Sequence, residues 1–317
     1  MSLALPRFFQ VKGEDGRRPP KAATQDPARP ARVEASEGNR LASITLAMVS
    51  AILFFLVLNL VVVSPIEAYT SQKNLYSELR LSLAEGSTPV SPLTHAKSLV
   101  TPGTPVAVMS APEIGLGREV IVEGSAPAQT MAGVGHRRDT VLPCQVGSSV
   151  LMARSGSYGA VGAAWSQLQN GQRFTVVMGQ GACTYQVVDR RVAGDQAPKA
   201  LTGRQGRVTL TTATGGRFSP TGTLLIDADL VSKAYPRPAV VFPSGALPAS
   251  EQSMGSDTSG LFPLVLLLEL LLGVVIAATW LWRRWGRWQT WLVATPILLT
   301  FGLFAATDLN LLLPNLL

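Results

Sequence analysis

Three long apolar windows divide the chain into polar segments. Residues 41–63 carry no charge, residues 261–282 contain only Glu269, and residues 291–311 become less apolar towards their end, where Asp308 lies. A hydrocarbon core about 30 Å thick is crossed by about 20 helical residues, so the pattern predicts three transmembrane helices. The first window lies too far into the chain, and is too long, for a cleaved signal peptide. We therefore expect a retained anchor.

Between residues 103 and 230 the pattern changes to short apolar and β-branched runs separated by Gly and Pro. Seven runs are predicted strands, at residues 105–109, 119–122, 149–153, 173–178, 184–192, 208–213 and 224–228. One short helix is predicted near residues 161–168. Seven strands within about 125 residues, with turn signals between them, are typical of a closed or half-closed β-barrel.

The segments that join these parts are polar. Residues 1–40 are rich in Pro, Ala, Arg and Gly, and we predict a disordered tail. Residues 64–102 are predicted to form a stalk, helical over 67–85 with Gly86 as its stop, followed by a linker. Residues 231–260 are predicted to form a Pro/Ser/Gly linker. Residues 283–290 form an Arg/Trp turn, and residues 312–317 form a short external tail.

Lys and Arg cluster in two places. They are frequent before the first apolar window, and the turn after the second is Arg283-Arg284-Trp285-Gly286-Arg287-Trp288. The positive-inside rule puts both clusters in the cytoplasm, so residues 64–260 and the last residues are expected outside the cytoplasmic membrane. The net charge of +7 comes largely from these clusters, whose expected partner is the lipid bilayer. No basic and aromatic pattern indicates nucleic-acid binding.

Several motifs occur in a fixed order within residues 103–230. They are Gly133-Val134-Gly135-His136 followed by Thr140-Val141-Leu142-Pro143, then VLMARSGSYG at 150–159, GQRFTV at 171–176, TLTTAT at 209–214 and TLLI at 223–226. Their order and spacing resemble the motifs GxGH…TxLPG, VIAGHRxTYG, GDxIxV, TLxTC and RLVV of class C to E sortases, thiol transpeptidases of Gram-positive bacteria. The resemblance implies a mainly β, sortase-like closed barrel of seven to eight strands with short helices, here flanked by transmembrane helices.

The chemistry of that family needs three residues. A Cys thiolate attacks the Thr–Gly amide, a His transfers a proton to the leaving amine, and an Arg stabilises the oxyanion. The resemblance puts Ala213 at the Cys position, Arg154 at the His position and Thr223 at the Arg position. An alanine methyl cannot form a thioester, and Arg, with a pKa above about 12, cannot act as a base. We expect a catalytically inactive binding or scaffolding module of the cell envelope.

Two alternative functions stay open. One is a hydrolase or transferase of altered mechanism, in which His136 would activate a hydroxyl such as that of Thr212; otherwise His136 is a loop histidine kept with the fold. The other is a structural subunit of a larger membrane complex. Arg154, Tyr158, Thr212 and His136 are candidates for lining a ligand groove, where Arg154 would favour a carboxylate or a phosphate, or would be a surface residue without a ligand.

Cys144 and Cys183 are the two cysteines, and Cys144 takes the place of the Gly that follows Leu142-Pro143 in the family. Both lie in the external segment, where disulfides persist, so we predict an intrachain disulfide, with an intermolecular bond as the alternative.

Four polar residues that lie inside the predicted spans are singled out: Asn59, Glu269, Asp308 and Asn310. They are predicted to form a polar seam, a line of polar side chains that holds the helices together or contacts a partner subunit. We expect a protein partner in the membrane or the cell-wall space, and neither metal nor cofactor; the oligomeric state is left open.

Overall fold

The structure, a computed structural model, describes residues 37–94, 96–239, 241–243 and 245–317. The predicted disordered tail lies outside the described residues except for its last four. The helices and strands are, in chain order, α1 Glu37–Leu58, α2 Ser64–Glu85, β1 Pro105–Ala111, β2 Leu116–Glu123, α3 Pro127–Ala132, β3 Val134–His136, β4 Gly147–Met152, α4 Val161–Trp165, β5 Arg173–Met178, β6 Gly181–Val192, β7 Gly206–Gly216, β8 Ser219–Leu230, α5 Leu261–Arg284 and α6 Arg287–Leu311.

The predicted stalk helix continues the first apolar helix. Thr45–Glu85 is one helix of 41 residues, in which Asn59–Val63, between α1 and α2, forms a π-helical turn. Pro65 accounts for this turn, because proline has no N–H to donate to the carbonyl four residues before it and its ring crowds that carbonyl. The helix ends at Gly86, whose φ of 68° is left-handed.

The strands of the described residues close into a barrel in the order β1-β2-β3-β4-β7-β8-β6-β5. The pairs β2–β3 and β4–β7 are parallel, and the others are antiparallel. Closure leaves no unpaired sheet edge. The predicted closed barrel is confirmed. Six of the seven predicted strands lie within the observed strands, and the seventh, at residues 149–153, ends one residue after β4. The eighth, β3, has only three residues, too few to give a recognisable period.

The interior of the barrel is apolar. Along β5 the side chains alternate, so that Phe174, Val176 and Met178 are buried and the residues between them are exposed. Phe174 stacks on Tyr185 of β6 with ring centroids 5.4 Å apart, and Trp165 of α4 is completely buried. Burial stabilises by about 1.5–3 kcal/mol for each large apolar side chain, so this core holds the strands in register.

Three helices of the described residues are long and apolar enough to cross a membrane: Thr45–Glu85, Thr258–Arg284 and Arg287–Leu311. The last two correspond to α5 and α6, which pack side by side. Only Trp285 and Gly286 separate them, so the turn predicted over residues 283–290 is mostly helical. The φ of Gly286 is 104°, a conformation that glycine adopts without strain and that lets the chain reverse.

Cys144 and Cys183 form the intrachain disulfide favoured by the sequence, with a Cα–Cα distance of 5.7 Å. It joins the loop before β4 to β6. Cys144 has a φ of 69°, in the left-handed region that favours glycine. Its N–H donates to the buried hydroxyl of Tyr185 at 2.6 Å. The disulfide and this hydrogen bond hold a non-glycine residue in a conformation that would otherwise be unfavourable.

The first prediction concerns this disulfide. Replacing both cysteines by alanine should lower the free energy of unfolding by about 3–4 kcal/mol, because the bridge closes a loop of 39 residues. The double variant Cys144→Gly with Cys183→Ala should lose about 1 kcal/mol less, because glycine accepts the left-handed conformation. Urea unfolding of the full chain in detergent, followed by circular dichroism, measures both. Equal stability of the two double variants would contradict the backbone argument.

Candidate functional site

The barrel brings together the three positions that the sequence aligned with sortase chemistry. Ala213 on β7 pairs directly with Thr223 on β8. Arg154 follows β4, whose Met152 pairs in parallel with Thr211 two residues before Ala213. All three residues are buried. Strand register therefore puts these side chains at one end of the neighbouring strands β4, β7 and β8.

Leu316 covers the Ala213 end of this site. It is completely buried and packs with Met152 and Ala213. Its carbonyl accepts a hydrogen bond from the Ser155 N–H at 2.9 Å, and the carbonyl of Leu317 accepts one from the Ser157 hydroxyl at 2.9 Å. The chain after α6, predicted as a short external tail, thus lies against the loop that follows β4.

A second contact holds this segment in place. The Asn315 side-chain amide, which is buried, donates to the carbonyls of Ser125 at 2.7 Å and Gln252 at 2.8 Å. Gln252 belongs to the predicted linker 231–260, and its neighbour Glu251 is buried and paired with Arg138, whose Nε lies 2.9 Å from Oε2. Part of the linker therefore packs on the barrel and supports the residues that cover Ala213.

Arg154 contacts α3 and the loop that follows β4. Its guanidinium donates to three neutral oxygens, those of Thr130 at 3.3 Å, Pro127 at 3.4 Å and Ser157 at 3.5 Å, and lies 5.3 Å from the ring centre of Tyr158. Arg154 is 1% exposed, and burial lowers its pKa to about 10. It stays a cation at neutral pH. Arg154 and Tyr158 share the lining of a cleft of about 470 Å³ between α2 and the barrel.

Thr212 does not face this cleft. Its side chain is completely buried, and a Cβ added at Gly162 of α4 would lie only 1.9 Å from its hydroxyl oxygen. Within the described residues that hydroxyl has no hydrogen-bond partner. Nothing positions a base beside it.

His136 is also separate from the cleft and lies on β3. Its Nδ1 is 2.9 Å from Glu123 Oε2, and its Nε2 is 3.0 Å from the carbonyl oxygen of Val141. Both partners are acceptors, a geometry that favours the imidazolium form, and Thr140 Oγ1 also lies 3.3 Å from Nε2. Burial alone would lower the pKa of His136, but Glu123, with the Val141 carbonyl, outweighs it and raises the pKa above 6.5. His136 therefore acts as a structural cation in this geometry.

Two of the four residues of the predicted polar seam, Asn59 and Asn310, contact each other, and Glu269 and Asp308 do not join them. Asn310 of α6 donates to Asn59 at 2.7 Å and to the Tyr158 hydroxyl at 3.0 Å, and Asn59 donates to Thr307 at 3.2 Å. Asp308 is half-buried and Glu269 is exposed. Among the described residues neither of these two carboxylates has a hydrogen bond or salt bridge assigned to it. The structure thus brings Asn59 to α6 and leaves Glu269 on the outer face of α5.

Three charged residues of the cleft had no signal in the sequence. Lys73 of α2 and Arg118 and Glu119 of β2 line it with Arg154. Burial raises the pKa of the Glu119 carboxyl to about 7. The helical spacing of apolar residues predicted α2, but it did not show which face of α2 packs against the barrel. Among the described residues, no three His, Cys, Asp or Glu side chains are placed to hold a metal ion.

The closed eight-stranded barrel with its short helices defines a sortase-like fold. The chain is similar to a class D sortase transpeptidase of Clostridium perfringens, with 18% identity over 51% of this chain and 99% of that chain and a TM-score of 0.42. It is also similar to a class C sortase of Streptococcus suis, with 23% identity over 41% and 74% of the two chains and a TM-score of 0.36. Sortase A of Corynebacterium diphtheriae matches with 17% identity, 61% and 96% coverage and a TM-score of 0.37.

No protein-family model and no curated protein matches the chain. The likeness to solved structures therefore concerns the fold.

The second prediction concerns pH. Because the folded pKa of His136 is raised, its stabilising effect is fully present below about pH 6.5 and is lost as the pH rises through the folded value. The loss of stability on His136→Gln should therefore be largest near pH 6 and should shrink as the pH rises towards 9. Urea unfolding of the full chain in detergent at several pH values measures this difference. A difference that does not vary with pH would contradict the imidazolium assignment; Arg173→Gln, an exposed change on β5, is the control.

Proposed function

We propose that the chain is a catalytically inactive, sortase-like membrane protein whose barrel serves as an extracytoplasmic binding or scaffolding module in the cell envelope. The three apolar helices would span the cytoplasmic membrane, with the N-terminal segment and the Arg/Trp turn in the cytoplasm. The positive-inside rule supports this orientation. The barrel and the residues after α6 would then face the cell-wall space.

One observation carries the absence of transpeptidation. Ala213, at the position of the nucleophile, is covered by Leu316 of the same chain. A methyl group cannot attack an amide, and the covering residues leave a peptide no direct approach to it. Arg154, at the position of the general acid, keeps its proton at neutral pH and is engaged with Thr130, Pro127 and Ser157.

The alternative hydrolase mechanism has less support. Thr212 is packed against Gly162 without a partner, and His136 has an acceptor on each ring nitrogen. A general base must lie within hydrogen-bond reach of the group that it deprotonates. His136 has no free lone pair with which to serve as that base.

A role as a structural subunit is the second candidate, and Glu269 favours it. Glu269 is exposed among apolar residues in the middle of α5, and among the described residues it has no salt bridge. A carboxylate that faces lipid is costly, so a polar group on a partner helix would be the expected contact.

The third prediction tests catalysis. The full chain in detergent should neither cleave a sorting-signal peptide at its Thr–Gly bond nor transfer the acyl group to hydroxylamine, under conditions in which an active class C sortase does both. Ala213→Cys should not restore turnover, because no general acid or base lies beside the new thiol. Release and transfer are measured by mass spectrometry of the peptide. Turnover by the unmodified chain that is lost on Thr212→Ala or His136→Gln would refute inactivity.

The fourth prediction tests the subunit hypothesis. The chain extracted from native membranes in mild detergent should co-purify with a stoichiometric protein partner, and Glu269→Leu should lose it. Leu266→Ala, a change at an exposed residue about one turn earlier on α5, should keep the partner and serves as the matched control. Size-exclusion chromatography with light scattering reports the stoichiometry. A monodisperse lone chain in both samples would exclude a stable partner held by Glu269.

A further inference from the structure

The cleft between α2 and the barrel contains a buried cation, Arg154, that has no anion within salt-bridge distance among the described residues. Within the described residues Arg154 forms no salt bridge, and its three hydrogen bonds, of 3.3–3.5 Å, all go to neutral oxygens. A guanidinium has five N–H groups, so two remain to donate to a ligand. Removing a charge from water without a counter-charge is costly. An anion that entered the cleft would lower that cost.

The rest of the lining is cationic as well. Lys73, Arg118 and Arg154 line the cleft with one carboxylate, that of Glu119, and the Glu67 carboxylate lies next to it, hydrogen-bonded to Tyr158. Arg118 is held in position by Tyr76, since its guanidinium lies 4.9 Å from the ring centre and donates to the hydroxyl at 3.3 Å. The cleft therefore has a net positive charge even when Glu119 is ionised, and a larger one when Glu119 is protonated.

The position of Arg154 relative to the apolar helices indicates the source of the anion. Tyr158, which lies under the guanidinium, donates its N–H to Ser64 Oγ at 3.2 Å and accepts a hydrogen bond from Asn310. Ser64 directly follows the first apolar window. Arg154 is thus at the level where the hydrocarbon core would end, and the lipid headgroup layer occupies the next 5–8 Å or so.

The part of α2 that lines the cleft would lie within the headgroup layer. Pro65 and Tyr69 line the cleft and lie two and six residues beyond Val63, which corresponds to about 3 and 9 Å along the helix. Phosphate groups of lipids would be found at the same height. The apolar side chains of Pro65 and Ala68 at the lower rim suit the glycerol and upper acyl region of such a lipid.

We propose that this cleft binds the phosphate group of an anionic membrane lipid, with Arg154 as the main cation and Lys73 and Arg118 as supporting ones. The proposal rests on the proposed function as a membrane-anchored extracytoplasmic module and names a ligand for it. Bidentate pairing of a guanidinium with phosphate oxygens would supply the acceptors that Arg154 lacks.

Binding should depend on pH through the groups that face the cleft. They are Glu67, Tyr69, Lys73 and Tyr76 on α2, Arg118 and Glu119 on β2, and Arg154 and Tyr158 in the loop after β4. Of the groups that line the cleft itself, Glu119 is the one expected to titrate near neutrality, because burial raises its pKa to about 7. A phosphate should bind more tightly below this pH, where the Glu119 carboxyl is neutral, than above it.

The fifth prediction concerns lipid binding. Native mass spectrometry measures it on the full chain in detergent, to which phosphatidylglycerol, phosphatidylcholine or inorganic phosphate is added in increasing amounts. Arg154→Gln should weaken phosphatidylglycerol binding by about tenfold or more, as expected for loss of a charge-assisted hydrogen bond. Arg173→Gln, which removes an exposed cation on β5 that does not line the cleft, should change binding little and is the matched control. Phosphatidylcholine should bind more weakly than phosphatidylglycerol.

A second variant, Glu119→Gln, separates an electrostatic effect from misfolding. It should increase the affinity for phosphatidylglycerol and abolish the decrease in binding between pH 6 and 8. A misfolded variant would not gain affinity. Unchanged binding in Arg154→Gln would overturn the proposal, and inorganic phosphate that competes as well as the lipid would assign the cleft to a soluble anion instead. Neither result depends on peptide cleavage, so failure here is distinct from failure of the proposed inactivity.

Discussion

A short series of side-chain hydrogen bonds joins the apolar helices to the barrel, and the other features of the site depend on it. Asn310 donates to both Asn59 and Tyr158, while the Tyr158 N–H donates to Ser64. An unpaired buried amide costs about 1–3 kcal/mol, so each of these groups keeps its neighbours in place. The π-helical turn at Asn59–Val63 matters for the same reason, because it sets the direction in which Asn59 leaves the helix.

This connection determines which cavities the molecule has. With α2 held against the barrel, Gln72 donates to the carbonyl of Ala132 and accepts from the N–H of Val120, and a cleft remains beside Arg154. With the end of α6 held at Tyr158, the residues that follow it reach Met152 and Ala213. One set of contacts therefore leaves a cationic cleft beside Arg154 and covers Ala213 with Leu316.

The side chains at the three aligned positions fit these two environments. A methyl group at Ala213 accepts the packing of Leu316, whereas a thiolate would be desolvated there. A cation at Arg154 suits the proposed binding of an anion in the cleft, whereas histidine would be largely neutral at the same pH. Thr223, beside Ala213 on β8, brings no charge to the covered end. The proposed change from catalysis to binding is consistent with each position.

Local sequence determined the elements whose signal lies within a few residues. The lengths of the apolar windows predicted three helices, β-branched runs separated by Gly and Pro predicted seven of the strands, and Gly86 marked the end of α2. The position of the two cysteines in the segment predicted to be external also indicated their disulfide. These patterns depend on neighbours along the chain, so they need no knowledge of the fold.

The tertiary structure decided which distant residues meet. Asn59 bonds to residues about 250 positions later, and Leu316 packs on Ala213 across about a hundred. The three-residue strand β3 exists because β2 and β4 flank it, and its sequence alone has no period. The sequence identified Arg154 as unusual, but whether it faced Ala213 or α2 depended on the side chains packed around it. Contacts of this kind follow from barrel closure and helix docking, which no local pattern encodes.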